Sequence, residues 1–338
     1  MGSSYEEPIY DDVLLGDVMN ALDQDVLAQV CKWLESGKSI YLCSVLSTYG
    51  SAPRPVGSLF ATDGDVRFGS ISGGCVEDAF VKLIKEDKLT NSQRTFDYGS
   101  HIATEPGNYE LPCGGHIQLL IEKLRPIHLA NIQLWLEYAK ADQDFARLIN
   151  LKTGEREIFS SAPKNRTDDW VIQNYQQKYQ LLLIGISQVS EELARLAHKG
   201  NFTVRICDTR EEYRNSWHWG IDKGGIEVEW QSPDNFVEKN VTPKTAVLAL
   251  AHDPRVDDLA MMAGLESDAF YVGALGSTRT NAKRLERLKR IGEYDDATIS
   301  RLHGPIGLDI GSRTPFEIAI AIMADLIATK NKIILKRI

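Results

Sequence analysis

The sequence predicts an α/β protein of two domains: an N-terminal mixed α/β domain followed by a domain with a mostly parallel sheet. At 338 residues, the chain is longer than a single ordinary core accommodates. Hydrophobic residues make up 43% and charged residues 25%, the balance of a folded globular protein. The all-apolar segment 181–184 is typical of a strand buried on both faces of a parallel sheet.

The N-terminal domain is expected over residues 23–160, after an acidic leader over residues 1–22. Apolar spacing and β-forming composition predict helices and strands in alternation. Helices are expected at 26–36, 74–88 and 129–139, and strands at 39–48, 58–61, 66–68, 117–124, 146–151 and 157–160. This assignment places Cys31 in the core face of the first helix and Cys43 inside the first strand.

A polar segment, residues 161–178, is expected to be the linker to a second domain over 179–338. There, strand 181–184 leads through Gly185 into a helix that closes at Gly200, and a second strand ends at Asp208. This βαβ unit, continued by strands at 246–250 and 271–275, predicts a Rossmann-like domain. The last helix has a capping box, Thr-Pro-Phe-Glu at 314–317.

Charge and composition narrow the possible partners. The formal net charge is −9, so we expect no nucleic-acid partner, because affinity for phosphate backbones comes from clustered Lys and Arg. The main basic run, residues 283–290, has Leu285 and Leu288 at helical spacing, which predicts a helix with its basic face in solvent.

The sequence contains no predicted membrane segment. No apolar stretch reaches the roughly 18 residues that a membrane span needs, and the N-terminus lacks a secretory pattern. The five cysteines are odd in number and form no CxxC pair, which argues against a disulfide framework and a zinc ribbon. We therefore expect a cytoplasmic protein.

Two cysteine-bearing glycine loops lie in the first domain. The loop 69–77 (Gly-Ser-Ile-Ser-Gly-Gly-Cys-Val-Glu) feeds a helix, so Gly73 and Gly74 would let an anion approach free N–H groups beside Cys75. The alternative is a tight turn with a buried thiol. The second loop, Cys113-Gly-Gly at 113–115, precedes a strand, and two such loops in one domain favour a shared ligand pocket.

In the second domain, Gly185-Ile-Ser187 stands where a dinucleotide fingerprint belongs, and Asp208 stands where a ribose-binding acid belongs. Ser187 replaces the second glycine, and its Cβ would crowd a pyrophosphate. NAD(P) binding is therefore disfavoured, although a phosphate could still meet the serine hydroxyl.

Further loops follow later strands, at the edge where open α/β sheets bind ligands. His252 and Asp253 could orient a ligand, and Gly276-Ser277 could accept a phosphate whose charge Arg279 neutralises. Taken singly, His252 could instead be a helix cap and Arg279 a partner of surface acids.

Together these segments resemble the XdhC/CoxI family of xanthine dehydrogenase accessory proteins. The resemblance is carried by six motifs in order: residues 50–54, 69–77, 113–115, 252–254, 271–277 and 303–311. Relatives usually have Gly-x-Gly-His where this chain has Gly-Ile-Ser-Gln at 185–188.

The resemblance implies a chaperone that binds the molybdenum cofactor, as molybdopterin or its cytosine dinucleotide form. Such a chaperone protects the cofactor during sulfuration and inserts it into an apo-molybdoenzyme. It also implies a cysteine desulfurase as sulfur donor, a homodimer, and no metal site formed by protein alone. The implied cofactor-binding residues are Arg54, Ser72, Gly73, Gly74, Cys75, Cys113, Gly114, Gly115, Gly185, Ser187, Asp208, His252, Asp253, Gly276, Ser277, Arg279, Gly307 and Asp309.

Other functions remain open on the residues alone. The βαβ unit with Asp208 allows an NAD(P)-dependent oxidoreductase, but no catalytic Tyr-Lys or His-acid pair has diagnostic spacing. A nucleotidyltransferase and a scaffold that bridges desulfurase and client are further alternatives. We expect a carrier that has no turnover of its own.

Overall fold

In the computed structural model the chain forms two compact units, Met1–Gln177 and Lys178–Ile338. The structure describes residues 18–49, 54–86, 93–98, 116–161, 163, 167–220 and 224–332. The first unit is mixed α/β and the second contains a six-stranded parallel sheet, which confirms the predicted fold class.

The first unit is built from strands that pair antiparallel and from three described helices. The strands are β1 (Ile40–Tyr49), β2 (Leu59–Thr62), β3 (Arg67–Gly69), β4 (Gln93–Tyr98), β5 (His116–Leu124), β6 (Phe145–Asn150), β7 (Arg156–Phe159) and β8 (Trp170–Tyr175). The helices are α1 (Ala21–Glu35), α2 (Cys75–Lys85) and α3 (Leu129–Lys140).

The five-stranded sheet of this unit, in the order β3-β2-β1-β5-β4, is covered on both faces. Alternate residues of a strand point to opposite faces. Leu42 therefore packs into the cluster that contains the apolar side of α1 and α3, whereas Cys43 packs into the cluster that contains Phe80 of α2. Cys31 is buried, as predicted, and Cys43, which lies in a strand as predicted, is buried as well.

The segment expected to be a linker, residues 161–178, contains strand β8. β8 is in the three-stranded sheet β7-β6-β8, where Leu148 pairs with Ile172 and Tyr175 is buried. The sequence did not predict β8, because the many polar residues of segment 161–178 indicated a linker. At the other end of the unit, α1 begins at Ala21 with Asn20 as its cap, so the helix starts inside the expected leader.

The second unit is a doubly wound domain. Its strands are β9 (Gln180–Ile184), β10 (Thr203–Asp208), β11 (Val228–Trp230), β12 (Thr245–Ala249), β13 (Tyr271–Ala274) and β14 (Leu302–His303). Its helices are α4 (Gln188–Lys199), α5 (Pro233–Asn240), α6 (Pro254–Leu265), α7 (Thr278–Gly292), α8 (Asp296–Ser300) and α9 (Pro315–Lys330).

All pairings in this sheet are parallel, in the order β11-β10-β9-β12-β13-β14. Leu181 and Leu182 of β9 pack into two different hydrophobic clusters on opposite faces of the sheet. Because both faces are buried, every position of the strand from 181 to 184 is apolar. The chain order reverses between β9 and β12, so their carboxyl ends border a crevice. α9 has the predicted capping box of Thr314 and Glu317.

Across the described ranges, no helix combines the length and the apolar character that crossing a bilayer requires.

Candidate functional site

The glycine loop before α2 is filled by a side chain of its own helix. The Glu77 carboxylate accepts hydrogen bonds from the backbone N–H groups of Ile71, Ser72, Gly73 and Gly74, at 2.8, 2.9, 3.3 and 2.9 Å. The hydroxyls of Ser70 and Ser72 donate to it as well. The N–H groups predicted to receive an anion from a ligand thus receive one from the protein.

Burial by itself would raise the pKa of Glu77, but the hydrogen bonds from Ser72 and Ile71 outweigh it and lower that pKa to about 2. The group is therefore a carboxylate at neutral pH. The expectation from the sequence is that Gly73 and Gly74 let a ligand's anion approach free N–H groups at the helix start. In the structure Glu77, in the first turn of α2, reaches back and accepts from the N–H groups of both glycines. Cys75 is the first residue of α2, directly after these glycines.

The other predicted site residues of the first unit are not brought into a described pocket. The loop of Cys113, Gly114 and Gly115 lies outside the described residues. Arg54 is exposed, and its charge acts on the buried carboxyl of Asp23.

Three other cysteines are structural. Cys31, Cys43 and Cys207 are buried, and burial raises the pKa of each thiol. They are therefore held as neutral thiols, unsuited to nucleophilic or metal-binding roles.

In the second unit, the turn between β9 and α4 packs tightly against the end of β12 and leaves no open phosphate site. Gly185 has φ +101°, and a Cβ there would lie 2.4 Å from the Cα of Ala251, so only glycine allows this approach to the end of β12. The Ser187 hydroxyl caps α4 by accepting from the N–H of Ser190 at 3.1 Å, and it also contacts the Ser190 hydroxyl at 2.8 Å. The expected role of Ser187 as a phosphate ligand is therefore replaced by a capping role.

Asp208 does not present a free carboxylate to a ribose. It is fully buried, accepts from the N–H of Ile186 at 2.7 Å and forms a bidentate pair with the Arg210 guanidinium at 2.9 and 2.7 Å. Burial opposes ionisation, but the bonds from Arg210 and Ile186 hold its pKa below the ordinary range. The residue stands where the sequence predicted it, but its lone pairs are used within the protein.

A cleft of about 700 Å³ opens instead at the carboxyl ends of β12 and β13. It is bordered by α4, α6, α7 and α9 and by the loops that follow the two strands. The lining residues include His252, Asp257, Gly276, Ser277, Arg279, Lys283, Arg284 and Arg287. The structure thus brings together His252 from one predicted loop and Gly276, Ser277 and Arg279 from another.

The basic lining of the cleft corrects one part of the interpretation of residues 283–290: Lys283, Lys289 and Arg290 are exposed as predicted, whereas Arg284 is buried. Lys283, Arg284 and Arg287 line the cleft, and Arg284 is almost fully buried. The Arg284 Nη2 donates to the carbonyl of Leu275 at 3.1 Å. The helical spacing did predict these residues on one helix, but which face meets solvent depends on how α7 packs beside α6.

Two titratable groups face these cations. Burial raises the pKa of Asp257 to about 6, and its carboxylate lies 3.5 Å from Arg284. Burial and the charges of Arg284 and Arg210 lower the pKa of His252, so the imidazole is neutral at pH 7. His252 has φ +58°, in the left-handed region. With Arg287 paired to Asp258, the cleft remains dominated by positive charge.

The remaining predicted residues play other parts. Asp253 caps α6 and pairs with the Arg255 guanidinium at 2.8 Å. Gly307 has φ +87°, and a Cβ there would lie 2.9 Å from the backbone of Ile322 in α9. Asp309 is exposed. The sequence signal that could have located the cleft is the spacing of Lys283, Arg284 and Arg287, which follow Ser277 by roughly two to three helical turns.

Within the described part of the chain, no group of three His, Cys, Asp or Glu side chains is arranged to hold a metal ion. The cleft has the chemistry of an anion-binding site, because four of its lining residues are Arg or Lys and because Ser277 and Thr280 at the amino end of α7 also line it. Its basic side chains and helix amino end suit a phosphate-bearing organic molecule of the size that 700 Å³ admits.

Comparison with known proteins gives matches along both units. The chain is 26% identical over 308 residues to the molybdenum cofactor insertion chaperone PaoD of Escherichia coli (strain K12), covering 88% of this chain and 85% of that protein. It is 26% identical over 329 residues to a probable xanthine dehydrogenase subunit of Bacillus subtilis (strain 168), covering 89% of this chain and 96% of that protein.

A crystal structure described as a xanthine dehydrogenase from Bacillus halodurans superposes with a TM-score of 0.67 at 21% identity, over 92% of this chain and 96% of that one. This likeness concerns the fold.

Two family models match the sequence: the XdhC and CoxI family over residues 33–99, and the XdhC Rossmann domain over residues 181–326. Together they cover more than half of the chain, including the glycine loop before α2 and the cleft. The chain therefore belongs to the XdhC/CoxI family.

Proposed function

We propose that this protein binds the molybdenum cofactor, supports its sulfuration, and delivers it to a molybdoenzyme of the xanthine dehydrogenase or aldehyde oxidoreductase type. One relative, which aligns over 88% of this chain and 85% of its own length, is named a molybdenum cofactor insertion chaperone. The cleft at the carboxyl ends of β12 and β13 is the observation that carries the proposal, because four of its lining side chains are basic.

The cofactor carries phosphate, so its binding requires cations and backbone N–H groups in a partly enclosed space. Arg279 and Lys283 are exposed at the cleft and available to meet an anion, and Arg284 supplies charge from its floor. When bound, the cofactor supplies the metal redox chemistry of the client enzyme. The residues of this chain bind, orient and shield it.

Further parts of the proposal concern partners. We propose a cysteine desulfurase as the sulfur donor, a homodimer as the working form, and the cytoplasm as the location. Cys75 and Cys113 are proposed to contact the metal or the transferred sulfur. Molybdopterin and the cytosine dinucleotide form are both proposed guests.

The test is retention of the cofactor by purified protein. Wild type and the double variant Arg279→Gln/Lys283→Gln are incubated with molybdenum cofactor and passed through gel filtration, and molybdenum and pterin per chain are measured with the molecular mass. We expect at least about a tenfold loss of affinity in the variant, since each charge-assisted bond contributes about 1.5–3 kcal/mol.

The matched control is Lys289→Gln/Arg290→Gln, which removes the same charge from exposed positions of α7 that do not line the cleft. It should retain the cofactor as wild type does. Equal loss in both variants, or equal retention in all three proteins, would remove the cleft from the function. Parallel Cys75→Ala and Cys113→Ala samples should retain less cofactor while remaining folded.

An NAD(P)-dependent oxidoreductase is the alternative that the strand order favours. Against it, the Asp208 carboxylate is taken by Arg210 and Ile186. Titration with NADH followed by fluorescence separates the two functions: micromolar binding would favour the oxidoreductase, and no binding at that level supports the carrier.

A further inference from the structure

The helix amino ends at the carboxyl edge of the second sheet include those of α4, α6 and α7. The α6 end already has Asp253 as its cap and Asp257 in its first turn, so the comparison is between the ends of α4 and α7. Either end offers backbone N–H groups that have no acceptor within the helix. The charges around the two ends differ, and this difference decides where an anionic group would bind.

The α4 end is unfavourable for an anion. The carboxylate of Asp208 already accepts the N–H of Ile186 at 2.7 Å, and Glu191 lies in the first turn of the helix. Ser187 uses its hydroxyl for capping. A phosphoryl group here would meet negative charge and a closed turn.

The α7 end is favourable. This helix of 15 residues has no acidic residue in its first turn, and Ser277 caps it by accepting from the N–H of Thr280 at 3.2 Å. The N–H groups of Thr278 and Arg279 precede that bond at the first turn. Gly276, just before the cap, has φ +150° and lines the cleft.

Arg284 is an independent observation at the same place. Its side chain is 4% exposed, so a charge lies at the floor of the cleft and out of water. Among the described residues, its Nε and Nη1 have no hydrogen-bond acceptor, and a Cβ at Gly276 would lie 3.7 Å from Nη1. Burying a guanidinium that has two unpaired nitrogens costs desolvation free energy. The carboxylate of Asp257, at 3.5 Å, offsets that free energy only in part.

We propose that the amino end of α7 binds a phosphoryl group, held by the first-turn N–H groups, by Lys283 and Arg279, and by the buried charge of Arg284. The nature of the guest rests on the proposed function, but the phosphoryl site stands on the residues above. It places the phosphate of the guest after β13 and not at the fingerprint turn after β9.

The test is calorimetric titration of the full chain with inorganic phosphate, pyrophosphate and cytidine monophosphate. Lys283→Gln should weaken binding of the tightest of the three by at least about tenfold, whereas Lys289→Gln on the same helix should change it by less than about twofold. Arg284→Gln should weaken it at least as much as Lys283→Gln.

Because Arg284→Gln can disturb folding, a local readout accompanies it. Lysine acylation followed by mass spectrometry should show Lys283 protected by saturating pyrophosphate and Lys289 unprotected. Equal protection of both lysines, or binding that survives Lys283→Gln and Arg284→Gln, would overturn the assignment. Tighter binding of pyrophosphate than of phosphate favours a dinucleotide guest, and the reverse favours a pterin monophosphate.

Different results would contradict the carrier function and the phosphoryl site at α7. If the chain retains molybdenum cofactor but the inorganic anions do not bind at α7, the phosphoryl site is wrong and the carrier function stands. If the anions bind at α7 and no cofactor is retained, the site stands and the carrier function is wrong.

Discussion

At the scale of single residues, the structure shows how a carboxylate of the chain takes the place expected for a ligand. Glu77 collects four backbone N–H groups and two hydroxyls of the loop before α2. This arrangement determines the turn that leads to Cys75. A glycine-rich loop at a helix start therefore does not by itself indicate an open anion site.

We predict that Glu77→Gln destabilises the first unit. Its folded-state pKa is about 2 against an ordinary 4.5, so the carboxylate contributes stability that is fully present above about pH 4.5 and is lost as the pH falls toward 2. After allowance for partial solvent screening we expect a loss of about 2 kcal/mol at pH 7. Denaturant unfolding, with hydrogen exchange of α2, measures it.

The control is Asp78→Asn, which changes an exposed neighbour that pairs with Arg67 at the surface. It should cost less than about 1 kcal/mol. Equal stability of Glu77→Gln and wild type between pH 5 and 8 would mean that the loop does not depend on the carboxylate.

At the scale of secondary-structure elements, the β9–α4 turn and the end of β12 are in direct contact. The Gly185 N–H donates to the carbonyl of Cys207 at 2.8 Å, and Gly185 itself lies against Ala251. The turn therefore connects the ends of β9, β10 and β12 at the edge of the sheet where the cleft opens. This packing explains why the glycine is needed although the loop is not an open phosphate site.

We predict that Gly185→Ala costs several kcal/mol, because it combines φ +101° with a Cβ 2.4 Å from the Ala251 backbone. Gly311→Ala is the matched control, since Gly311 has φ +73° but no atom within 4 Å of a built Cβ. It should cost about 1 kcal/mol, from backbone strain alone. Thermal unfolding of both variants gives the comparison, and equal shifts would contradict the close-packing argument.

At the scale of the whole molecule, a chain of net charge −9 carries a basic cleft. The overall charge repels an anionic guest at long range, and the cleft attracts it at short range. Screening acts over about 10 Å at 0.1 M salt, so added salt weakens both effects.

We predict that attraction of pyrophosphate by the cleft outweighs repulsion by the net charge of the chain. Pyrophosphate affinity should therefore fall several-fold as salt rises from about 50 to 200 mM. Lys283→Gln should show a shallower dependence on salt than wild type, because one attracting charge is removed. Calorimetry at three salt concentrations measures both slopes. An affinity that rises with salt would mean that the repulsion of the whole chain controls binding.

Local pattern was sufficient for most elements. The apolar run of β9 and the capping box of α9 were predicted because they depend on neighbours in sequence. Strands β4, β8, β11 and β14 were not predicted, since they contain few consecutive apolar residues and owe their structure to their pairing partners. Helices α5, α6 and α8 were likewise missed.

By itself, the sequence determined the fold class, the family resemblance, the burial of Cys31, and the loops that border the second sheet. These depend on periodicity and on short motifs. Only the tertiary structure decided which polar groups are free. Glu77 fills its loop, Asp208 is taken by Arg210, and Arg284 reaches the floor of the cleft. Such partners are chosen by distance in space, and no spacing along the chain specifies them.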